Sequence, residues 1–323
     1  MIPIRDTIPS KNYAIVNNSI IGINVVMYLV ELSQGEGLYR FVHIYGLVPA
    51  RYTVPHVSQF FTPGQQLFAF ISFMFLHGGF LHLLGNMWSL YIFGDNVEDR
   101  LGHARYLLFY LLCGITSGLS HLLFNFDSKV ATIGASGAIA GVMGAYFILH
   151  PKSKILTLIP IIFIPWFVEI PAFIFLGFWF VMQFLNALGS HADITGIAWW
   201  AHIGGFIFGI IFLKLFLTLP SIGVSERIRQ ITEKKKTHRL QVIRPAGTAK
   251  EPHLYGTIHI TSYEAFSGTQ KLVNIPWGFQ KRLIRVSVPA GVKDGTMLRL
   301  KNMGKQWHDG QRGDMYLKVV IKV

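Results

Sequence analysis

The chain has 323 residues, 51% of them hydrophobic, and a formal net charge of +13. Its mean hydropathy of +0.43 excludes an ordinary soluble domain. The single cysteine, Cys113, excludes an internal disulfide and a thiolate metal cluster. Residues 19–219 hold long apolar runs, whereas 220–323 are polar, basic and strand-like. The contrast predicts a membrane domain followed by a small soluble one.

After a short segment at 1–18, membrane spans are predicted at 19–32, 79–94, 105–125, 134–149, 171–188 and 197–219. The first run follows Lys11 without a small-x-small cleavage site and reads as a retained anchor. Residues 67–77 either extend the second span or lie at the interface. Residues 155–168, interrupted by Pro160 and Pro165, read as an interfacial hairpin rather than a crossing.

Six spans put both termini on one side. With that side inward, the inner loops carry Arg100, Arg105, Lys152 and Lys154, and the outer loops only Arg40, Arg51 and Lys129. The positive-inside rule then places both termini in the cytoplasm. The expected location is the bacterial plasma (inner) membrane, with the site described next facing the outer side.

Four polar residues within apolar runs carry the chemistry. Ser136 opens a helix-length run between glycines, His82 and Asn86 share a helix face four residues apart, and His202 lies in the last span. Polar groups inside membrane segments are costly and by default functional. Ser136 and His202 fall near the outer ends of two inward-running helices, at one depth. Gly137 with Gly141, Ala140 with Gly144, and Gly205 with Gly209 beside His202 form small faces that let helices approach closely. A Ser needs a base to become a nucleophile, and neutral His is the obvious one. His82 and Asn86 can both donate to a developing oxyanion. No Asp or Glu lies in the fourth or sixth span, so the sequence offers a dyad. No His-Glu-x-x-His and no paired intramembrane aspartates are present, which excludes zinc and aspartyl proteases; no metal or other cofactor is expected.

The stretches His77-Gly-Gly-Phe-Leu-His82-Leu-Leu-Gly-Asn86, Gly94–Gly102, Gly134-Ala-Ser-Gly137 and Ala201-His202-Ile-Gly-Gly205 with Gly209 resemble the four ordered motifs of the rhomboid intramembrane serine proteases. The resemblance runs from about 19 to 219. It implies Ser136 as nucleophile and His202 as general base, with His82, Asn86 and the backbone N–H of Ser136 as oxyanion hole. It implies structural roles for His77 and Glu98. It also implies transmembrane protein substrates, cut where their helix unwinds. Two positions depart from the pattern. Phe68-Ala69 stand where the family often has Trp-Arg, which bears on anchoring of the first outer loop. Ala140 replaces an aromatic that stacks on the base, so the orientation of His202 falls to another group, with Trp199 or Trp200 the neighbours at hand.

Residues 220–250 form a basic linker, with Arg227, Arg229, Lys234, Lys235, Lys236, Arg239, Arg244 and Lys250 against Glu226 and Glu233. It suits anionic lipid heads. It lacks the interleaved aromatics of a nucleic-acid surface, so no nucleic-acid partner is expected. From 251 to 323, alternating runs at Tyr255–Thr261, Lys271–Ile275, Arg282–Pro289, Met297–Leu300 and Met315–Val323 predict a small β domain. Thr257–Gly268, Val288–Leu300 and Gly313–Leu317 resemble the C-terminal substrate-binding domain of DnaJ chaperones, without a His-Pro-Asp signature or CxxCxGxG repeats. The resemblance implies binding of unfolded polypeptide. The expected architecture is an all-α, six-helix polytopic membrane bundle with a C-terminal all-β domain. The expected function is intramembrane serine proteolysis; the competing reading is a catalytically silent binder of membrane proteins.

Overall fold

A backbone held out of water must satisfy its own hydrogen bonds, so long apolar runs become helices. In a computed structural model the described residues are 1–8, 10–161, 164–189, 197–220, 232, 240–243, 251–277, 280–306 and 312–322. They form two units, Met1–Glu233 and Lys234–Val323.

In the first unit, strand β1 (Ile2–Asp6) precedes α1 (Ile15–Ser33), and four short helices follow: α2 (Leu38–Tyr45), α3 (Ala50–Thr53), α4 (Pro55–Ser58) and α5 (Pro63–Ser72). Helices α6 (Phe80–Leu101), α7 (His103–Phe124) and α8 (Ser136–Leu149) come next. Strands β2 (Lys154–Ile161) and β3 (Ile164–Pro171) then lead to α9 (Ala172–Gly189) and α10 (Trp199–Thr218). Helices α1, α7, α9 and α10 are long and apolar enough to cross a membrane, and α5 with α6 would make a fifth span, bent by 79°. Helix α8 has only 14 residues, but Gly137–Tyr146 is buried without a break, as suits a central helix.

The expected hairpin is present, β2 pairing antiparallel with β3 throughout. Strand β1 adds to the outer edge of β2, from Ile2 opposite Leu158 to Asp6 opposite Ile155. The bundle therefore carries a three-stranded sheet in addition to its six long helices. Trp88 Nε1 on α6 donates to the Pro3 carbonyl at 2.6 Å, and Tyr146 and Asn96 both donate to Asp6 Oδ2, at 2.6 and 2.8 Å.

Helix α1 has no side-chain cap of its own. Its first N–H groups, which no intrahelical carbonyl can reach, are met by Glu98 of α6: Val16 N at 3.0 Å and Asn17 N at 2.8 Å. His103 Nδ1 lies 2.5 Å from the same carboxylate, and its Nε2 lies 2.8 Å from Thr232 Oγ1. Gly102 makes the break between α6 and α7 with φ +82°, a region where only glycine is unstrained. At the other end of α1, Glu31 accepts the backbone N–H of His77 at 3.0 and 3.1 Å. The two carboxylates fix α1 against the segment that carries His82 and Asn86.

The closest packing joins α8 to α10. A Cβ on Gly205 would stand 2.0 Å from the Gly137 carbonyl oxygen, one on Gly209 2.2 Å from that of Gly141, and one on Gly144 2.3 Å from that of Phe206. These are backbone-to-backbone contacts, the purpose that the small faces predict.

Among the described residues the second unit holds two three-stranded sheets. In one, β4 (Leu240–Val242), β6 (Thr269–Trp277) and β7 (Gln280–Val288) lie in that order; in the other, β5 (Leu254–Thr261), β9 (Met315–Lys322) and β8 (Met297–Leu300). The short helix α11 (Ser262–Ser267) opens with a Thr261/Glu264 capping box. Ile258, Ile260, Val273, Val286, Leu317 and Val319 are in its core. Most of the residues read as a basic linker lie outside the described residues. Within that stretch β4 pairs parallel with β6, so this sheet begins before 251.

Gly205→Val must force α8 and α10 apart. Overpacking costs about 1–3 kcal/mol where neighbours can give, and backbone gives least. The thermal midpoint of the variant should fall, and Ser136 should lose its reaction with a serine-directed probe. A wild-type midpoint would remove the close contact from the account.

Candidate active site

Ser136 is the first residue of α8, so its backbone N–H belongs to the helix end that lacks intrahelical partners and carries partial positive charge. His202 sits in the first turn of α10. Because the glycine faces bring these two helix starts together, Ser136 Oγ and His202 Nε2 lie 2.8 Å apart. Of the two tryptophans available in sequence to orient the imidazole, Trp200 stacks instead on Phe124, with ring centroids 3.8 Å apart. Trp199 meets His202 edge-on at 6.1 Å, and Trp179 of α9 lies 6.0 Å away. The direct partner is one that the sequence reading missed: Gln183 of α9 places Oε1 2.8 Å from His202 Nδ1.

The loop leading into Ser136 is pinned on both sides. Leu47 and Thr132 exchange two backbone hydrogen bonds, at 3.0 and 2.8 Å, and Gly134 N donates to the Phe73 carbonyl at 2.9 Å. Gly134 has φ +129°, and a Cβ there would lie 2.8 Å from both Cε1 and Nε2 of His82. Glycine is required at this position by conformation and by space.

His82 and Asn86 lie on α6 and line the same cavity as Ser136 and His202, a space of about 780 Å³ also bounded by Met1 and Pro3 of the β1 segment and by Gln183 and Trp199. Gly78 N donates to His82 Nδ1 at 3.3 Å, so a neutral His82 carries its proton on Nε2, on the edge of the ring that faces Gly134. The Asn86 side chain is buried and its amide nitrogen has no hydrogen-bond partner among the described residues. The cavity is thus lined by a serine hydroxyl on an imidazole and by His82 and Asn86, whose side chains carry N–H donors. Such a set can add a hydroxyl to a carbonyl and hold the resulting oxyanion. His77 is turned to a different task, its ring packing edge-on against His82 with centroids 5.1 Å apart.

The loop in which Phe68-Ala69 depart from the family pattern is held by Arg51, which the sequence shows only as a loop charge. Arg51 is fully buried, donates to the carbonyls of His43, Ile44 and Gly46, and lies 3.7 Å over the ring of Phe61. Burial lowers its pKa from the ordinary arginine value, with Tyr52 opposing the shift.

Residues 64–219 match the family model of the Rhomboid domain, and residues 225–323 match that of the DnaJ C terminal domain. The chain carries a rhomboid domain followed by a DnaJ C-terminal domain. Among curated relatives it is 31% identical over 164 residues to RHOMBOID-like protein 6, mitochondrial, of Arabidopsis thaliana, covering 50% of this chain and 48% of that protein. It is 27% identical over 203 residues to Rhomboid protein 1, mitochondrial, of Saccharomyces cerevisiae, covering 60% and 51%. It is 36% identical over 150 residues to Rhomboid protease GluP of Bacillus subtilis, covering 46% and 25%. The chain thus spans about half the length of the first two of these relatives and a quarter of the third. All of the predicted site residues fall within the rhomboid domain, and the apolar helices make the chain a membrane protein.

Gly134→Ala should leave the bundle folded, since the residue lies in a loop, but push His82 out of the cavity. Serine-directed probe labelling should slow by at least tenfold, roughly the loss expected on disturbing one oxyanion donor. Labelling at the wild-type rate would separate His82 from the reaction.

Proposed function

We propose that the chain is an intramembrane serine endopeptidase that cuts other membrane proteins in or beside a transmembrane segment. The observation that carries this reading is the 2.8 Å contact of Ser136 Oγ with His202 Nε2, in a cavity that also holds the unpaired amide nitrogen of Asn86. Ser136 Oγ–H gives its proton to His202 Nε2 as the oxygen adds to the scissile carbonyl. The carbonyl oxygen becomes an oxyanion met by Asn86 Nδ2, His82 Nε2 and the Ser136 N–H. His202 then returns the proton to the leaving amine, and the acyl-enzyme forms. A water, deprotonated by the same imidazole, releases the acid and restores Ser136. A peptide in intact helix has its carbonyl bonded four residues on, so the substrate must be unwound at the cut.

The membrane orientation follows from charge: both termini inward and the site toward the outer side. The membrane in this reading is the bacterial plasma (inner) membrane; one relative is a Bacillus subtilis protein, and the Arabidopsis and yeast relatives carry mitochondrial names. The second domain binds extended apolar polypeptide, as its family match suggests, and presents clients to the membrane domain. The basic residues at 220–250 lie against anionic lipid heads.

Ser136→Ala and His202→Ala should each abolish labelling by a fluorophosphonate and cleavage of a transmembrane substrate in proteoliposomes, at unchanged thermal midpoint. Asn86→Ala should be milder, a loss of about 10²–10³-fold in kcat. Cleavage by Ser136→Ala within tenfold of wild type would end the serine reading, and a silent wild type would favour the binder.

A chain ending at Glu233 keeps Thr232, which His103 and the Tyr13 N–H both engage. It should retain labelling and cut a generic transmembrane substrate normally, yet lose rate on substrates with an unfolded inner segment. Equal rates on both substrates would leave the second domain without a role in presentation.

A further inference from the structure

A serine–histidine pair works only in one tautomer. Nε2 must be bare to accept the proton of Ser136, so the ring proton must sit on Nδ1, and a buried Nδ1–H needs an acceptor. Many hydrolases supply a carboxylate there. In this bundle, no Asp or Glu lies on α8, α9 or α10. Gln183 is the polar member of the buried stripe of α9, whose other buried residues are Ala172, Phe175, Leu176 and Ala187. Its Nε2 donates to the Trp179 carbonyl at 3.3 Å, one turn back, which leaves Oε1 facing His202 Nδ1 at 2.8 Å. An amide oxygen can only accept, so the order of donors is fixed: Ser136 to His202, His202 to Gln183, Gln183 to Trp179.

We propose that Gln183 is the positioning residue of the site, an amide that holds His202 in its reactive tautomer in place of a carboxylate. This rests on the dyad reading of Ser136 and His202. The choice of an amide has a physical reason. A carboxylate within the bundle pays a large desolvation cost that its pairing with an initially neutral imidazole does not return. The Gln dipole orients the ring at no cost in net charge. When the imidazolium forms, its Nδ1–H bond to Oε1 becomes charge-assisted and strengthens, so the contact stabilises the transition state more than the resting state. Position 140 supplies no ring to His202, because Ala140 is fully buried with its Cβ facing Gly205; Trp179 and Trp199 flank the imidazole at 6.0 and 6.1 Å, and Gln183 makes the direct bond.

The test compares Gln183→Met, nearly isosteric and without an acceptor, with Gln183→Glu, which keeps an acceptor oxygen in either protonation state. Both are measured in the full chain beside wild type and Ser136→Ala. The readouts are fluorophosphonate labelling rate, kcat and KM on a transmembrane substrate, and thermal midpoint. Gln183→Met should lose about ten- to a hundredfold in labelling rate and kcat, the low end of what acid–base catalysis contributes, with KM little changed. Gln183→Glu should recover most of that loss. A Gln183→Met enzyme as fast as wild type overturns the proposal. So does an equal fall in both variants, which would mark Gln183 as a packing residue. Labelling that survives in Ser136→Ala would instead show that the dyad reading itself is wrong.

Discussion

The distance between Ser136 and His202 is set by a backbone contact several residues away. Both lie in the first turn of parallel-running helices, so the separation of α8 and α10 fixes how far Oγ is from Nε2. In a bilayer, apolar side chains gain little by leaving lipid for one another, and helix association rests on packing and hydrogen bonds. Gly137, Gly141 and Gly144 meet Gly205, Phe206 and Gly209 at backbone level, with no room for one added carbon. A larger residue at Gly144, Gly205 or Gly209 meets the partner backbone and widens the pair, lengthening the Ser136–His202 contact, whereas one at Gly137 or Gly141 meets Ser117 or Cys113 of α7 first. The glycines and the Ser136–His202 pair are therefore one feature seen at two scales.

Polar groups inside the bundle sort into two kinds by whether they are satisfied. Asn17 donates to the Leu90 carbonyl and accepts from Tyr106 OH, Glu98 is filled by the start of α1 and by His103, and Glu31 by the His77 N–H. Each holds two helices in register, and its burial is repaid by direct bonds. Asn86 differs. It too is buried, and its amide nitrogen, like the ring nitrogens of His77, has no hydrogen-bond partner among the described residues; unlike His77, Asn86 lines the cavity that holds Ser136. A buried donor kept unmade costs on the order of 1–3 kcal/mol in a resting protein, a cost that makes sense where a charge will appear later in the reaction.

This distinction explains what could be read from the residues alone. Six long helices follow from apolar run length, and the five longer C-terminal strands from alternation, because both patterns are local. Ser136, His202, His82 and Asn86 stand out as polar groups in apolar runs. Gln183 satisfies the same criterion but sits on a helix with no motif, where a single amide is as easily a surface residue; only its place in the buried stripe distinguishes it. Strand β1 was invisible because Ile2–Asp6 is too short to show alternation and gains its structure from β2, 150 residues on. Strand β4 failed for the same reason: three residues among basic neighbours carry no period, and β6 supplies the ladder.

Arg51 shows how a departure in one loop position can be met from another. The last carbonyls of a helix lack intrahelical donors and carry partial negative charge, so α2 needs a cation near residues 43–46. In the family pattern an arginine stands where Ala69 is found here, and Ala69 has neither reach nor charge. Arg51 approaches from the opposite direction in sequence and bonds three of those carbonyls at once. The next residue along, Leu47, pairs with Thr132, and Thr132 precedes Gly134 and Ser136 by only two and four residues. The guanidinium therefore steadies the approach to Ser136 through one short run of backbone. A helix end needs a charge of the right sign within reach, and the fold is indifferent to which residue number supplies it.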